Sequence, residues 1–210
     1  MLIKKGAEAN LYLEERFGRR VIIKRRLAKK YRIPELDNEL RTYRTIHEAQ
    51  IIHRAKEAGV PTPIILLIDI SRKEIVMEYI HGRRIKEVLE EASSKERENI
   101  CREIGRLIGK LHSNGIIHGD LTTSNMILTS DNRIVLIDFG LSEQTKELEA
   151  RGVDLHLMRR CLQSSHYSHA EEAFEAIMKG YSEIVGEKET LNVLDKIKDI
   201  EKRGRYISGR

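Results

Sequence analysis

The pattern of apolar and polar residues changes character near position 80. Before it, apolar residues gather in runs of strand length. Leu11-Tyr12-Leu13 and Val21-Ile22-Ile23 flank a polar turn holding Gly18, and Ile64–Ile70 and Ile75–Tyr79 form a second pair. Between the pairs the spacing predicts one long helix that starts after Pro34 and runs to Ala58. Gly59 stops it, and Pro61 and Pro63 keep the next residues extended. From Ile85 onward the period is helical: Ile100, Ile104, Leu107, Ile108 and Leu111 recur on one face before Gly115, which assigns them to core packing. Two short strands follow, Met126-Ile127-Leu128 and Ile134-Val135-Leu136-Ile137, turning through Ser130-Asp131-Asn132. The remainder reads as short helices from Asp154 to Met158, Ala170 to Tyr181 and Leu191 to Glu201. The whole is an α+β chain in which a small sheet with one crossing helix precedes a helical part.

The second hairpin frames the chemistry. His118-Gly119-Asp120-Leu121-Thr122-Thr123-Ser124-Asn125 leads into it, and Asp138-Phe139-Gly140 ends it, so the returning strand brings Asp138 to the loop that carries Asp120 and Asn125. Phosphoryl transfer needs such a set. One carboxylate orients or deprotonates the attacking hydroxyl, an amide oxygen binds a metal ion, and a second carboxylate bridges metal to phosphates. Asp120, Asn125 and Asp138 fit these roles in that order. Turn chemistry explains any one of them, but not three in register. ATP and Mg2+ are therefore expected on a minimal bilobal kinase-like fold. Residues 1–80 would form a β-rich ATP-clamping lobe, 81–201 a helical catalytic lobe and 202–210 a basic tail.

A kinase also needs a lysine at a strand end, aimed at the phosphates and held by a helix glutamate. Lys24, closing Val21-Ile22-Ile23, suits this better than Lys29 or Lys30 beyond the strand. Its expected partner is Glu48, which faces the sheet if Ile52 and Ala55 do; Glu39 and Glu57 lie nearer the helix ends. Gly6-Ala7-Glu8-Ala9 is the phosphate-loop candidate, but with one glycine it leaves most of the grip to lysine and metal. Backbone groups of Glu78 and Ile80, just past Met77, are placed to meet an adenine edge. Gly119 stands where regulated kinases have the arginine that reads a phosphorylated activation loop, only thirteen residues separate Gly140 from Asp154, and no APE sequence occurs between them. Activity should therefore not depend on loop phosphorylation. Asp154 reads either as a helix N-cap or as an anchor for the catalytic-loop backbone.

Composition narrows the setting. Charged residues make up 34% of 210, with Lys+Arg 38 against Asp+Glu 33 and a net charge of +5, a mild excess that suits an anionic partner. It gathers in Lys24-Arg25-Arg26 with Lys29-Lys30-Tyr31-Arg32, and in Lys202, Arg203, Arg205 and Arg210, clusters that could meet an RNA backbone or simply be solvated. Cys101 and Cys161 form no CxxC, which argues against a disulfide framework or zinc site and for a reducing compartment. No apolar run reaches membrane-spanning length and Met1–Lys5 is too short for a signal sequence, so a cytoplasmic protein is expected.

Across nearly its whole length the chain resembles the small atypical kinases known as PRPK, the kinase/ATPase subunit of the KEOPS complex. The likeness rests on Gly6–Ala9, Ile22–Lys24, Glu48-Ala49, His118–Asn125, Ile134–Ser142, Gly152–Leu155 and Arg203–Arg205, and the paired threonines of His118–Asn125 are its most specific part. The resemblance implies a serine/threonine kinase and ATPase acting in threonylcarbamoyladenosine modification of tRNA, with the KEOPS threonylcarbamoyl-transferase subunit, other complex subunits and tRNA as partners. It also implies Asp120 as catalytic aspartate, Asn125 and Asp138 as magnesium ligands, and Lys24 with Glu48 at the phosphates. RIO-type or small-molecule kinases are the alternative among enzymes, although RIO members carry a different metal-aspartate motif. A nucleotide-binding scaffold is the alternative outside them, against which stands the presence of every catalytic position.

Overall fold

The computed structural model describes the backbone of residues 1–207 and the side chains of residues 1–203. Five antiparallel strands make the first sheet: β1 (Leu2–Lys5), β2 (Ala9–Arg16), β3 (Arg19–Arg26), β4 (Ile65–Asp69) and β5 (Glu74–Glu78), in the order β1-β2-β3-β5-β4. Strand alternation gives the sheet two faces. Val21, Ile23 and Val76 pack with Tyr12 and Leu66, while Ile75 and Met77 pack with Ala49 of α1 (Pro34–Glu57). Gly59, with φ of +75°, ends that helix in the left-handed region that glycine enters without cost.

The second part opens with a short strand the periodicity missed, β6 (Gly82–Arg84), followed by α2 (Ile85–Glu91) and α3 (Ser94–Ser113). Ser93 and Glu96 form a reciprocal capping box at the start of α3. Next come β7 (Ile116–Ile117), a 3-10 turn over Thr123–Asn125, β8 (Met126–Thr129), β9 (Ile134–Leu136) and β10 (Glu143–Gln144). β6, β8 and β9 form one sheet, and β10 folds back on β7. Strands of two or three residues carry no readable period, which is why β6, β7 and β10 were not foreseen.

Three helices complete the chain: α4 (Leu148–Ser165), α5 (Ala170–Val185) and α6 (Glu187–Ile207). Asp154 lies inside α4, which rules out its N-cap reading, and α6 does not end at Glu201 but runs through Gly204 to Ile207. A single glycine costs a helix only about 1 kcal/mol. Arg210 and the side chains of Arg205 and Tyr206 lie outside the described residues. Among the described residues no helix is long and apolar enough to cross a membrane.

The main core joins α3, α4, α5 and α6 to the β8–β9 hairpin, around Ile104, Ile108, Leu136, Leu155, Ile177 and Tyr181. Glycine sets how closely α3 and α5 approach: a Cβ on Gly105 would sit 1.9 Å from the carbonyl oxygen of Ile177, and one on Gly180 would sit 1.8 Å from that of Arg102. Gly105→Ala should therefore lower the melting temperature, because overpacking costs about 1–3 kcal/mol and outweighs the roughly 1 kcal/mol gained in helix propensity. A melting temperature that rises, as propensity alone dictates, would show that the helices part at no cost.

Candidate active site

The loop between β7 and β8 is fixed from beneath by α4. Asp154, buried in that helix, accepts the N–H of His118 at Oδ2 and the N–H of Gly119 at Oδ1, both at 2.9 Å. Of the two readings of Asp154, the geometry matches the backbone anchor. Behind it a buried chain continues, with His112 Nε2 3.2 Å from Asp154 Oδ2 and His112 Nδ1 3.1 Å from the Tyr181 hydroxyl. Gly119 has a steric reason to be glycine: its φ is +78°, and a Cβ would lie 2.2 Å from the carbonyl oxygen of Leu141. His118 packs on Phe139, ring centroids 4.6 Å apart, and burial pushes its imidazole below the usual histidine range.

With the loop held, Asp120 and Asn125 come together. Asn125 Nδ2 donates to Asp120 Oδ2 at 2.8 Å and to the Asp120 carbonyl at 3.0 Å, and its own carbonyl accepts the N–H of Ile137 at 2.9 Å, which ties the loop to the incoming strand. Asp138 follows with φ of +64°, a left-handed conformation rare for residues other than glycine and found more often for Asp and Asn.

On the sheet side Lys24 Nζ lies 2.6 Å from Glu48 Oε1 and 2.5 Å from Asp138 Oδ1, so one ammonium joins β3, α1 and the end of the β8–β9 hairpin. Burial works against the charge on Lys24, but Glu48 and Asp138 together hold its pKa above the usual lysine value. Burial likewise opposes ionisation of Asp138, yet Lys24, with smaller help from Lys4 and His118, keeps that carboxyl below its usual range. Glu48 is 1% exposed, and its second oxygen receives Arg26 Nη2 at 2.6 Å. Charges this deep are retained only when paired, and breaking such a pair leaves the partner uncompensated.

Arg26 corrects the first basic cluster. It is buried against Glu48, Lys24 faces the cleft, Arg25 pairs with Glu74 across the sheet, and Lys29 donates to the Ala7 carbonyl. Arg32 reaches Glu8 and Asp37, so Lys30 is the cation of this cluster left exposed, beside Tyr31. In the second cluster Lys202 is exposed and Arg203 pairs with Glu149.

Lys24, Glu48, Asn125 and Asp138 line one cavity of about 360 Å³, within the size range of small-molecule sites, together with apolar Leu11, Ile22, Met77, Ile127 and Ile137. Glu78 and Ile80 line its far end. The Glu78 N–H is already taken by the Ile64 carbonyl, whereas the Ile80 N–H has no partner among the described residues. Gly6, Ala7, Glu8 and Ala9 do not line the cavity. The Gly6 N–H closes on the Ala9 carbonyl at 3.0 Å, and Glu8 is drawn to Arg44 of α1 at 2.7 Å. The strand before that loop lines the cavity through Ile3 and Lys4, which no motif marks.

The donor set suits a hard divalent cation. Asn125 spends its amide hydrogens on Asp120, which leaves Oδ1 without a donor among the described residues, and Asp138 meets Lys24 through Oδ1 and keeps Oδ2. Two oxygens on one cavity wall are what magnesium takes from protein when phosphates and water complete its shell.

Comparison with known proteins agrees with a kinase fold. The protein kinase domain family matches residues 13–182. The KEOPS complex subunit Bud32 of Pyrococcus abyssi is 52% identical, over 98% of this chain and 96% of that protein. A probable serine/threonine-protein kinase BUD32 homolog of Archaeoglobus fulgidus is 42% identical over 99% of this chain and 97% of its own length. A probable bifunctional tRNA threonylcarbamoyladenosine biosynthesis protein of Methanothermobacter thermautotrophicus is 43% identical over 98% of this chain, which spans only 36% of that longer protein.

Proposed function

The chain belongs to the protein-kinase family and, within it, to the small kinases of the KEOPS complex, and on that premise we propose that it binds Mg-ATP in the 360 Å³ cavity and transfers the terminal phosphoryl group to a hydroxyl or to water. The observation that carries this reading is the joining of Lys24, Glu48 and Asp138 from three separate elements opposite the Asp120–Asn125 pair. The adenine would lie along Met77–Ile80, with the Glu78 carbonyl and the Ile80 N–H toward its edge. Lys24, held by Glu48, whose other oxygen Arg26 fixes, neutralises phosphate charge without having to be ordered when the nucleotide arrives. Asn125 Oδ1 and Asp138 Oδ2 would hold magnesium, which neutralises charge on the transferred group. Asp120 orients the attacking oxygen and takes its proton. Because Gly119 stands where regulated kinases carry the phosphate-reading arginine and residues 141–147 alone link Gly140 to α4, activity should not depend on phosphorylation of an activation loop.

The names of the relatives support a setting for this reaction. We infer that the chain works in the cytoplasm as the kinase subunit of a KEOPS-type complex that makes threonylcarbamoyladenosine in tRNA, beside the threonylcarbamoyl-transferase subunit, and that ATP hydrolysis is part of that work. The fused relatives support this partner, since they join a segment like this chain to further sequence under one biosynthetic name. The test is ADP release by the purified chain alone, then with the transferase subunit, then with tRNA added. Slow magnesium-dependent turnover alone and a rise of tenfold or more with the transferase are expected. Turnover indifferent to both additions would separate the chain from the complex, and absence of Mg-ATP binding would remove the enzyme reading.

A further inference from the structure

An irregularity in β1 changes what the cleft offers a nucleotide. Leu2 pairs with Tyr12 and Lys4 with Leu11, so Ile3 is an extra residue on β1 with no place in the β2 register. Such a bulge re-aims side chains, and bulges gather at sheet edges and beside active sites. Regular alternation would send Ile3 and Lys4 to opposite faces, yet both line the cavity. The register then continues across the sheet from Lys4 to Leu11 and from Leu11 to Lys24. Residues directly opposite on antiparallel strands share a face, so Lys4 and Lys24 are the outer members of one row with Leu11 between them. All three line the cavity together with Asp138.

Resting on the Mg-ATP reading, we propose that Lys4 is a second phosphate-binding cation, placed by the Ile3 bulge, and that with Lys24 it does the work a glycine-rich loop does elsewhere through backbone amides. Two observations point to a missing grip. The Gly6 N–H is consumed by turn closure on the Ala9 carbonyl, and the loop from Gly6 to Ala9 stays out of the cavity lining. Lys4 is exposed and has no carboxylate partner among the described residues, in contrast to Lys24, so its charge is free to meet an anion. The ligand class is a nucleoside di- or triphosphate. Lys4 contacts the phosphate tail and Ile3 the apolar part of the nucleotide.

The test uses the full chain with Lys4→Gln, Lys4→Arg and, as a control for net charge, Lys5→Gln, since Lys5 pairs with Asn10 at the next position along the strand and does not line the cavity. Affinities for ATP, ADP and adenosine are measured by calorimetry in magnesium buffer. Loss of one charge-assisted contact should weaken ATP binding by about tenfold in Lys4→Gln while leaving adenosine within about twofold, with Lys4→Arg and Lys5→Gln near wild type. Equal loss for adenosine and ATP would assign Lys4 a structural role, and equal loss in Lys5→Gln would reduce the effect to net charge. Wild-type binding of ATP with Lys4→Gln unchanged would overturn the assignment alone, whereas failure of the wild type to bind ATP would take the nucleotide reading with it.

Discussion

Asp120→Asn should leave the chain folded and able to bind Mg-ATP while turnover falls by roughly 10²- to 10⁴-fold, the usual contribution of a positioned general base. The substitution separates the two functions because an amide oxygen at position 120 still accepts the hydrogen bond that Asn125 Nδ2 now gives to Oδ2 at 2.8 Å, and the second bond, to the backbone carbonyl of residue 120, is untouched. Asn125 and Asp138 keep their free oxygens, so the side of the cavity proposed to hold magnesium stays intact. The lost group is the one proposed to accept the proton of the attacking oxygen. ADP release and direct nucleotide binding, measured on the same preparation, give the two halves of the result. Full turnover in the variant would mean that the attacking oxygen is oriented by another residue, and loss of ATP affinity in step with turnover would place Asp120 among the ligand-binding groups.

Much of this site could be read from the chain because its members lie at element ends whose types the local pattern reveals. Two strands and a tight turn suffice to return Asp138 to Asp120 and Asn125, and β8 and β9 form that hairpin. Lys24 ends an apolar run in a strand. Glu48 shares a helix face with Ile52 and Ala55, both buried, so its inward direction follows from the helical period.

What escaped the sequence depends on partners distant along the chain or on exceptions to strand periodicity. Arg26 looked like one of three consecutive cations on a surface. In the fold it lies two residues beyond Lys24 on the same face of β3 and reaches the other oxygen of Glu48. No local pattern distinguishes a buried arginine from a solvated one when its partner is twenty-two positions away. Lys4 escaped for a different reason: one extra residue in β1 reverses the face that alternation assigns, and nothing in Leu2-Ile3-Lys4-Lys5 marks the bulge. The start of α4 was placed too late because Leu148–Val153 has no clear apolar period, and that hid Asp154 inside the helix.

Asp154→Asn tests whether that hidden position matters as much as the cleft. Its carboxylate collects three contacts in a fully buried setting: the N–H groups of His118 and Gly119, and His112 Nε2. An asparagine supplies one oxygen and one NH2 group, so it can satisfy one of the two backbone donors while presenting a donor to the other. Leaving a buried N–H unpaired costs about 1–3 kcal/mol, and losing the match to His112 adds to it, so a total near 2–4 kcal/mol is expected. For a chain of this length that is roughly a 5–15 °C fall in melting temperature. The functional effect should be distinct in kind. Released from α4, the loop would no longer hold Asp120 in place, so turnover drops, while Lys24, Glu48 and Asp138, held from the sheet side, keep ATP affinity within a few-fold. Tyr181→Phe offers the graded comparison, since it removes only the far hydroxyl of the same chain, 3.1 Å from His112 Nδ1, and should cost less in both stability and turnover. A melting curve and turnover unchanged in Asp154→Asn would show that the loop keeps its shape without this anchor.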